Sequence, residues 1–437
     1  MRFPKKLIVV ALAAALPCMG AHAQSTADLK KEIEVLRAQL QVLTQKIEAI
    51  SAQPDMTALT QQVNRLEQKQ DLAADDKDKS GFGGLKVSGT IEASYRSDDL
   101  GKDHVFGAGS GYTDSGAGVG MIQFTKESQD GEGIDWTLRL LPGSTSYAVH
   151  EASLSIPINK ENRIIAGLIP DFQGYEYSFP NANPTLGNQL ISHNALYDLA
   201  GASFYSGLGM SHTFKNGMYA FKWLVGNIDP GSDDPAVTAA ANSTKKSVGV
   251  AFRGDWFIDE YTSVGLSGAA AASNRNFSIM AIDGGYSRGN WQFNGQLTAG
   301  TMRAAAANGL DANWTGVSGL VGYKVVPRLQ LLARLDYMDN RSNGGGTYVD
   351  FQGGGGYGLG PEKDSLGNTE MDPNTGLATT GANLTRLTLG TNYQINANTQ
   401  WKTEIRLDQS SGYNFTDADG NLTKTRTSFG TAFVLSF

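Results

Sequence analysis

From residue 85 to the C-terminus, hydrophobic residues tend to fall on every second position. In 85–96, Val87, Gly89, Ile91, Ala93 and Tyr95 share one parity, and Lys86, Ser88, Thr90, Glu92, Ser94 and Arg96 share the other. Successive side chains of a strand point to opposite faces, so this segment predicts a strand with an apolar phase on one side and water on the other. The same reading places strands near 85–96, 117–127, 133–142, 146–157, 162–169, 203–214, 218–228, 246–258, 261–272, 276–287, 290–302, 313–326, 328–340, 382–395, 399–410 and 424–437, 16 in all. The connections sort by length. Those at 215–217, 259–260, 288–289 and 396–398 are short, while most of those on the opposite side are long, at 97–116, 170–202, 229–245, 303–312, 341–381 and 411–423. A soluble sandwich has no cause to segregate its turns this way, whereas an outer-membrane barrel does. The fold class expected is an all-β transmembrane barrel of about 16 antiparallel strands.

Before residue 85 the period is different. Leu29, Ile33, Leu36, Leu40, Leu43, Ile47 and Ile50 follow each other at alternating spacings of four and three, a heptad seam that predicts a short N-terminal α-helical coiled coil. Pro54 interrupts it, and Met56, Leu59, Val63 and Leu66 resume in a shifted register. Ile and Leu mixed at the seam positions permit a dimer or a trimer. A single amphipathic helix packed on its own domain is the other reading, but no soluble domain is apparent beside it. The expected organisation is an export signal at 1–23, a periplasmic coiled coil at 24–70, a charged, glycine-ending linker at 71–84 and the barrel at 85–437. The signal combines Arg2, Lys5 and Lys6, a ten-residue apolar stretch from Leu7 to Leu16, and Ala21-His22-Ala23. Cys18, the one cysteine, falls inside it; Pro17 and Leu16 disfavour a lipoprotein, and the mature chain keeps no thiol.

Charge and composition narrow the function. The formal net charge of −7 becomes more negative once the three basic signal residues leave, which argues against nucleic acid as a partner. No run of 18 apolar residues follows the signal, so a membrane helix is not expected. His104, His150, His193 and His212 form no HExxH pair, and no GxSxG elbow is present. The glycine-rich stretch within 341–381 lacks the GK[ST] of a phosphate loop. No enzyme, catalytic residue, metal or cofactor is expected.

Parity also assigns the bore. Arg139, Lys222, Arg253, Lys324, Arg334, Arg386, Lys402, Arg406 and Arg426 fall on inward positions, and on the lipid face each would cost roughly 2–4 kcal/mol at the midplane. Arg334, Arg386, Arg406 and Arg426 lie on four successive strands and could form a basic ladder that favours anions. Asp336, Glu404 and Asp408 share their parity and could equally neutralise them. The connection 170–202 is the candidate constriction, with Asp171, Tyr175, Glu176, Tyr177, His193 and Asp198 as its chemistry. Its apolar Leu190, Ile191 and Leu196 suit a loop folded into the bore. Trp136, Tyr219, Trp223, Trp256, Trp291 and Trp401 fall on outward positions, as aromatic girdles require.

The chain ends with Phe433, Leu435 and Phe437 on one face, which resembles the signal read by the barrel assembly machinery. Together these features resemble the Gram-negative general porins. The added coiled coil looks like porins of the DcaP type, and 181–205 with Gly226-Asn227-Ile228-Asp229 resembles an uncharacterised proteobacterial porin-like family. The PEFGG-type loop motif of the general porins is missing, so their eyelet residues do not carry over. The resemblance implies a homotrimer of passive channels for small solutes, possessing a modest preference for small organic anions, seated in outer-membrane lipid with its N-terminal segment in the periplasm. The competing class is a structural barrel that contacts the cell wall through its coiled coil.

Overall fold

The computed structural model describes residues 84–99, 105–109, 121–128, 133–140, 149–170, 172–176, 189–200, 204–228, 248–272, 276–346 and 360–437. The export signal, the coiled-coil seam and most of the linker lie outside the described residues. Among the described residues, seventeen strand segments join one antiparallel sheet that closes on itself. The strands are β1 (Leu85–Asp98), β2 in two pieces (Val105–Gly109 and Met121–Lys126), β3 (Asp135–Leu140), β4 (Val149–Pro157), β5 (Asn162–Pro170), β6 (Phe204–Phe214), β7 (Tyr219–Asn227), β8 (Val248–Phe257), β9 (Thr262–Ala272), β10 (Phe277–Arg288), β11 (Trp291–Met302), β12 (Ala312–Val326), β13 (Leu329–Asp339), β14 (Leu384–Asn396), β15 (Thr399–Ser410) and β16 (Thr425–Ser436). A short helix, α1 (Ala195–Ala200), lies in the connection between β5 and β6.

The barrel therefore has the sixteen strands expected. β2 departs from the expected 117–127. Its first piece pairs with the upper part of β1, from Arg96↔Val105 to Glu92↔Gly109, and its second piece with the lower part, from Thr90↔Met121 to Leu85↔Lys126. One strand is thus interrupted by the insertion 110–120, whose Gly- and Ser-rich sequence carries no alternation from which the upper piece could be read. Closure comes from β1 against β16, in register from Thr90↔Ser436 to Asp98↔Ser428. The last residue takes part: Gly89 N donates to Phe437 O at 2.8 Å and Phe437 N donates to Gly89 O at 3.0 Å. Among the described residues every strand has a neighbour on each side along at least part of its length, which removes most of the edges that lipid could not satisfy.

Alternation produces two surfaces. On β15, Trp401, Ile405 and Leu407 are 41–48% exposed, while Lys402, Glu404, Arg406 and Asp408 between them are at most 3% exposed. At the short-turn end, aromatics meet across strands on the outer face: Tyr219 stacks on Trp256 at 6.1 Å and Trp401 on Phe433 at 5.9 Å, and Trp291 lies tilted against Tyr323 at 4.6 Å. Trp136 and Trp223 are of intermediate exposure on the same face. An apolar wall with an aromatic belt suits the boundary between hydrocarbon and headgroups. Leu389 points outward at mid-strand on β14 and is 49% exposed. Leu389→Arg is expected to cost ~2–4 kcal/mol in denaturant titrations of the barrel in lipid vesicles, the cost of a cation near the midplane.

Curvature depends on close strand approach. On β6, a Cβ at Gly209 would lie 1.8 Å from the Trp223 carbonyl oxygen of β7, so only hydrogen fits there. At the long-loop end the described connections bond to one another: Ala307 N to Gly345 O at 2.9 Å, Gly344 N to Thr379 O at 3.0 Å and Tyr413 N to Lys363 O at 2.8 Å. Two tight D-x-x-G-N turns stiffen this rim. Asp417 accepts from Asn421 N at 2.7 Å and Asp364 from Asn368 N at 2.9 Å, and these donors hold both carboxyls below their usual range.

Candidate functional site

The connection from β5 to β6 enters the bore. Its segment 172–176 crosses the interior: Arg253 of β8 donates to Phe172 O and Gly174 O, both at 3.1 Å, and the Tyr175 hydroxyl meets Ser318 Oγ of β12 at 2.7 Å. Burial, and then the Glu176 carboxylate, push the Tyr175 phenol up, so it stays a neutral hydrogen-bonding group. The segment 189–200 then lands on the wall formed by β12 to β15.

That landing is a reciprocal lock between loop backbone and wall charges. Ile191 N and Ser192 N donate to one oxygen of Glu404 at 2.9 and 3.0 Å, Ala195 N donates to Asp336 Oδ2 at 3.1 Å, and Asn194 N donates to Glu176 Oε2 at 2.6 Å. In the other direction, Arg334 donates to Glu176 Oε1 at 2.8 Å, Ser192 O at 3.0 Å and His193 O at 2.6 Å, and its Nε lies 3.1 Å from Asp336. Arg386 donates to Asp408 at 2.7 Å and to His193 O at 3.3 Å, and Asn392 holds Gln189 O at 2.7 Å. Buried charges persist only when paired and hydrogen-bonded, and here loop carbonyls and amides supply what the ion pairs leave over.

Above the lock the bore is apolar. Tyr205, Leu224, Ala251, Ala269, Ile279, Trp314, Met338 and Leu384 point inward from the long-loop ends of their strands and pack with Ala195 and Leu196 of α1. Below it lies a cavity of about 590 Å³, bordered by Arg139, Lys222 and Arg253 from the wall and by Phe172 and Tyr175 from the loop. The inward loop thus divides this side of the bore into a packed apolar part and a polar one.

The residues singled out in the sequence fall into distinct places. Arg139, Lys222 and Arg253 border the cavity. Arg334 and Arg386 lie beneath the loop with no exposed surface, and Arg406 Nε sits 3.2 Å from Asp408, so these three do not face open water. Arg426 pairs with Asp98 across the barrel seam at 2.7 Å. Lys402 is buried, and Lys324 is exposed near the short-turn end of β12. Glu176 and Tyr175 join the lock; His193 is buried and stacks on Tyr197 at 4.3 Å. Asp198 belongs to α1, but its side chain, like Asp171 and Tyr177, lies outside the described residues. Phe433, Leu435 and Phe437 are exposed on the outer face. Asp255 and Asp283, which pair with Arg253, went unremarked in the sequence; inward parity was the signal that would have found them.

A closed barrel of sixteen antiparallel strands with an apolar outside and a loop folded into its bore defines the porin fold. Solved structures agree. The in-vitro folded OmpT of Vibrio cholerae in its trimer form is 13% identical, matches 81% of this chain and 99% of its own, and superposes with a TM-score of 0.50. The anion-selective porin from Comamonas acidovorans is 11% identical over 81% of this chain and 99% of its own, also at 0.50. The outer membrane channel DcaP of Acinetobacter baumannii, 10% identical over 81% of this chain and 97% of its own, reaches 0.48. One family model matches part of the chain, residues 258–437, and is described as a protein of unknown function, DUF3138. No curated protein matches the chain.

Proposed function

We propose that this protein is an outer-membrane porin, a passive diffusion channel for small hydrophilic solutes. The observation that carries this reading is the polar, charge-lined cavity of about 590 Å³ between the inward loop and the barrel wall. A barrel kept only as an anchor has no use for a water-accessible polar interior beneath an immobilised loop. Sixteen strands are also wide enough to leave a bore that side chains alone do not fill. The proposal includes a homotrimer, with the coiled coil as a periplasmic stem.

Selectivity between ions should be weak. The ladder that suggested anion preference has Arg334 and Arg386 buried and paired, so the fixed charge that permeating ions meet is smaller than the count of arginines implies. Reconstituted in planar bilayers, the full chain is expected to conduct, with a reversal potential near zero in a salt gradient. No conductance at any voltage would favour the wall-tethered structural barrel, and a strongly anion-selective reversal potential would restore the ladder.

A further inference from the structure

The cations that border the cavity are answered within its own wall. Arg139 Nη1 lies 3.1 Å from Glu151 Oε2. Arg253 lies 2.8 Å from Asp255 and grips Asp283 with both terminal nitrogens at 2.9 Å. Lys222 Nζ stands 4.3 Å over the Phe172 ring, and Lys222 is the direct cross-strand neighbour of Arg253. The four groups Lys222, Arg253, Asp255 and Asp283 therefore carry two charges of each sign. The arrangement needs Gly265 between them: a Cβ there would come within 2.5 Å of Arg253 Nη2 and 2.8 Å of Asp283 Oδ1. Glycine on β9 lets a guanidinium from β8 reach a carboxylate on β10 across the intervening strand.

A wall of this kind repels and attracts ions about equally. An anion entering it must approach Asp255 and Asp283, and a cation must approach Arg253 and Lys222. Asp255 and Asp283 keep acceptor capacity beyond their contacts with Arg253, because a carboxylate has about four acceptor sites, while the five donors of Arg253 are already taken up by these two carboxylates and the Phe172 and Gly174 carbonyls. Ser263, Gln292 and Asn294 border the same space and can both donate and accept. The volume lies within the range of about 300–1,000 Å³ typical of ligand cavities.

We propose that this cavity is a binding station for small polar solutes that carry no net charge, with polyhydroxylated compounds as its natural chemistry. Hydroxyl groups satisfy paired donors and acceptors together without leaving a charge uncompensated, which neither an anion nor a cation does. The inference rests on the channel reading and names the solute class for it.

The test is current blockade of the full chain in planar bilayers, with sucrose and then succinate added in potassium chloride. Sucrose is expected to interrupt the current saturably, and succinate at the same concentration is not. Asp283→Asn removes one acceptor and leaves the basic pair in excess. It should weaken the sucrose block by about tenfold, the weight of one charge-assisted hydrogen bond, and introduce a block by succinate. If that variant does not insert, Gln292→Ala carries the expectation of a weaker sucrose block with the ion pairs intact. Conductance without saturable sucrose block, or a stronger block by succinate in the unaltered protein, overturns this proposal and leaves the channel standing. Absence of conductance overturns both.

Discussion

Replacing Arg334 by alanine is expected to release the loop from the barrel wall and to raise single-channel conductance. Arg334 has no exposed surface and holds Glu176, Asp336 and the carbonyls of Ser192 and His193 at once. Its removal strands two buried carboxylates, and breaking a buried pair from one side costs about 3–5 kcal/mol. A loop segment held mainly by such contacts cannot absorb that loss, so 172–176 and 189–200 should open to added protease while the barrel itself survives. Arg341→Ala is the contrasting case. Its pair with Asp339 is short, at 2.7 Å, but the arginine side chain is 63% exposed, and water replaces what the pair loses. Loop cleavage and conductance measured on both variants decide the matter. If Arg334→Ala leaves both unchanged, the apolar packing of Leu196 and Ala195 is what holds the loop.

The other large effect belongs to a residue with no side chain. Gly209→Ala is expected to prevent barrel formation, because its Cβ would collide with the Trp223 carbonyl at 1.8 Å, and a backbone oxygen in a ladder cannot rotate aside. Relief would require β6 and β7 to part or slip, and a one-residue slip turns lipid-facing Leu208 and Met210 into the bore. Overpacking a soluble core costs about 1–3 kcal/mol, but a sheet that must close has no free edge along which to relax. Gly319→Ala on β12 is the control, since nothing lies within 4 Å of a Cβ there. The amount of folded protein recovered in outer-membrane fractions should fall to background for the first variant and stay unchanged for the second. Normal recovery of Gly209→Ala would mean that the strands approach less closely than the structure shows.

Much of the architecture was legible in the residues because a membrane barrel obeys a local rule. Each strand meets lipid on one face and the bore on the other, so Trp401, Ile405 and Leu407 declare one side of β15, and Lys402, Glu404, Arg406 and Asp408 declare the other. Turn length reported which end was which, and the sixteen strands followed from alternation alone. Where alternation lapsed, in the Gly- and Ser-rich insertion of β2, the reading lapsed with it. The inward direction of the loop was also visible, in apolar anchors that a water-exposed segment would not need.

What lay beyond the sequence was the fate of the inward face. Parity says that Trp314, Leu224 and Met338 point into the barrel, but a bore is assumed to be wet; only the arrival of α1 makes that half an apolar core. Likewise, the lock joins Ile191 to Glu404 across 213 residues and Arg334 to Glu176 across 158, separations at which no periodicity carries information. So the chain by itself determined the barrel, its two surfaces and the positions of its arginines. The tertiary structure alone decided which of those charges still face water, because pairing and burial depend on what the third dimension brings within about 3 Å.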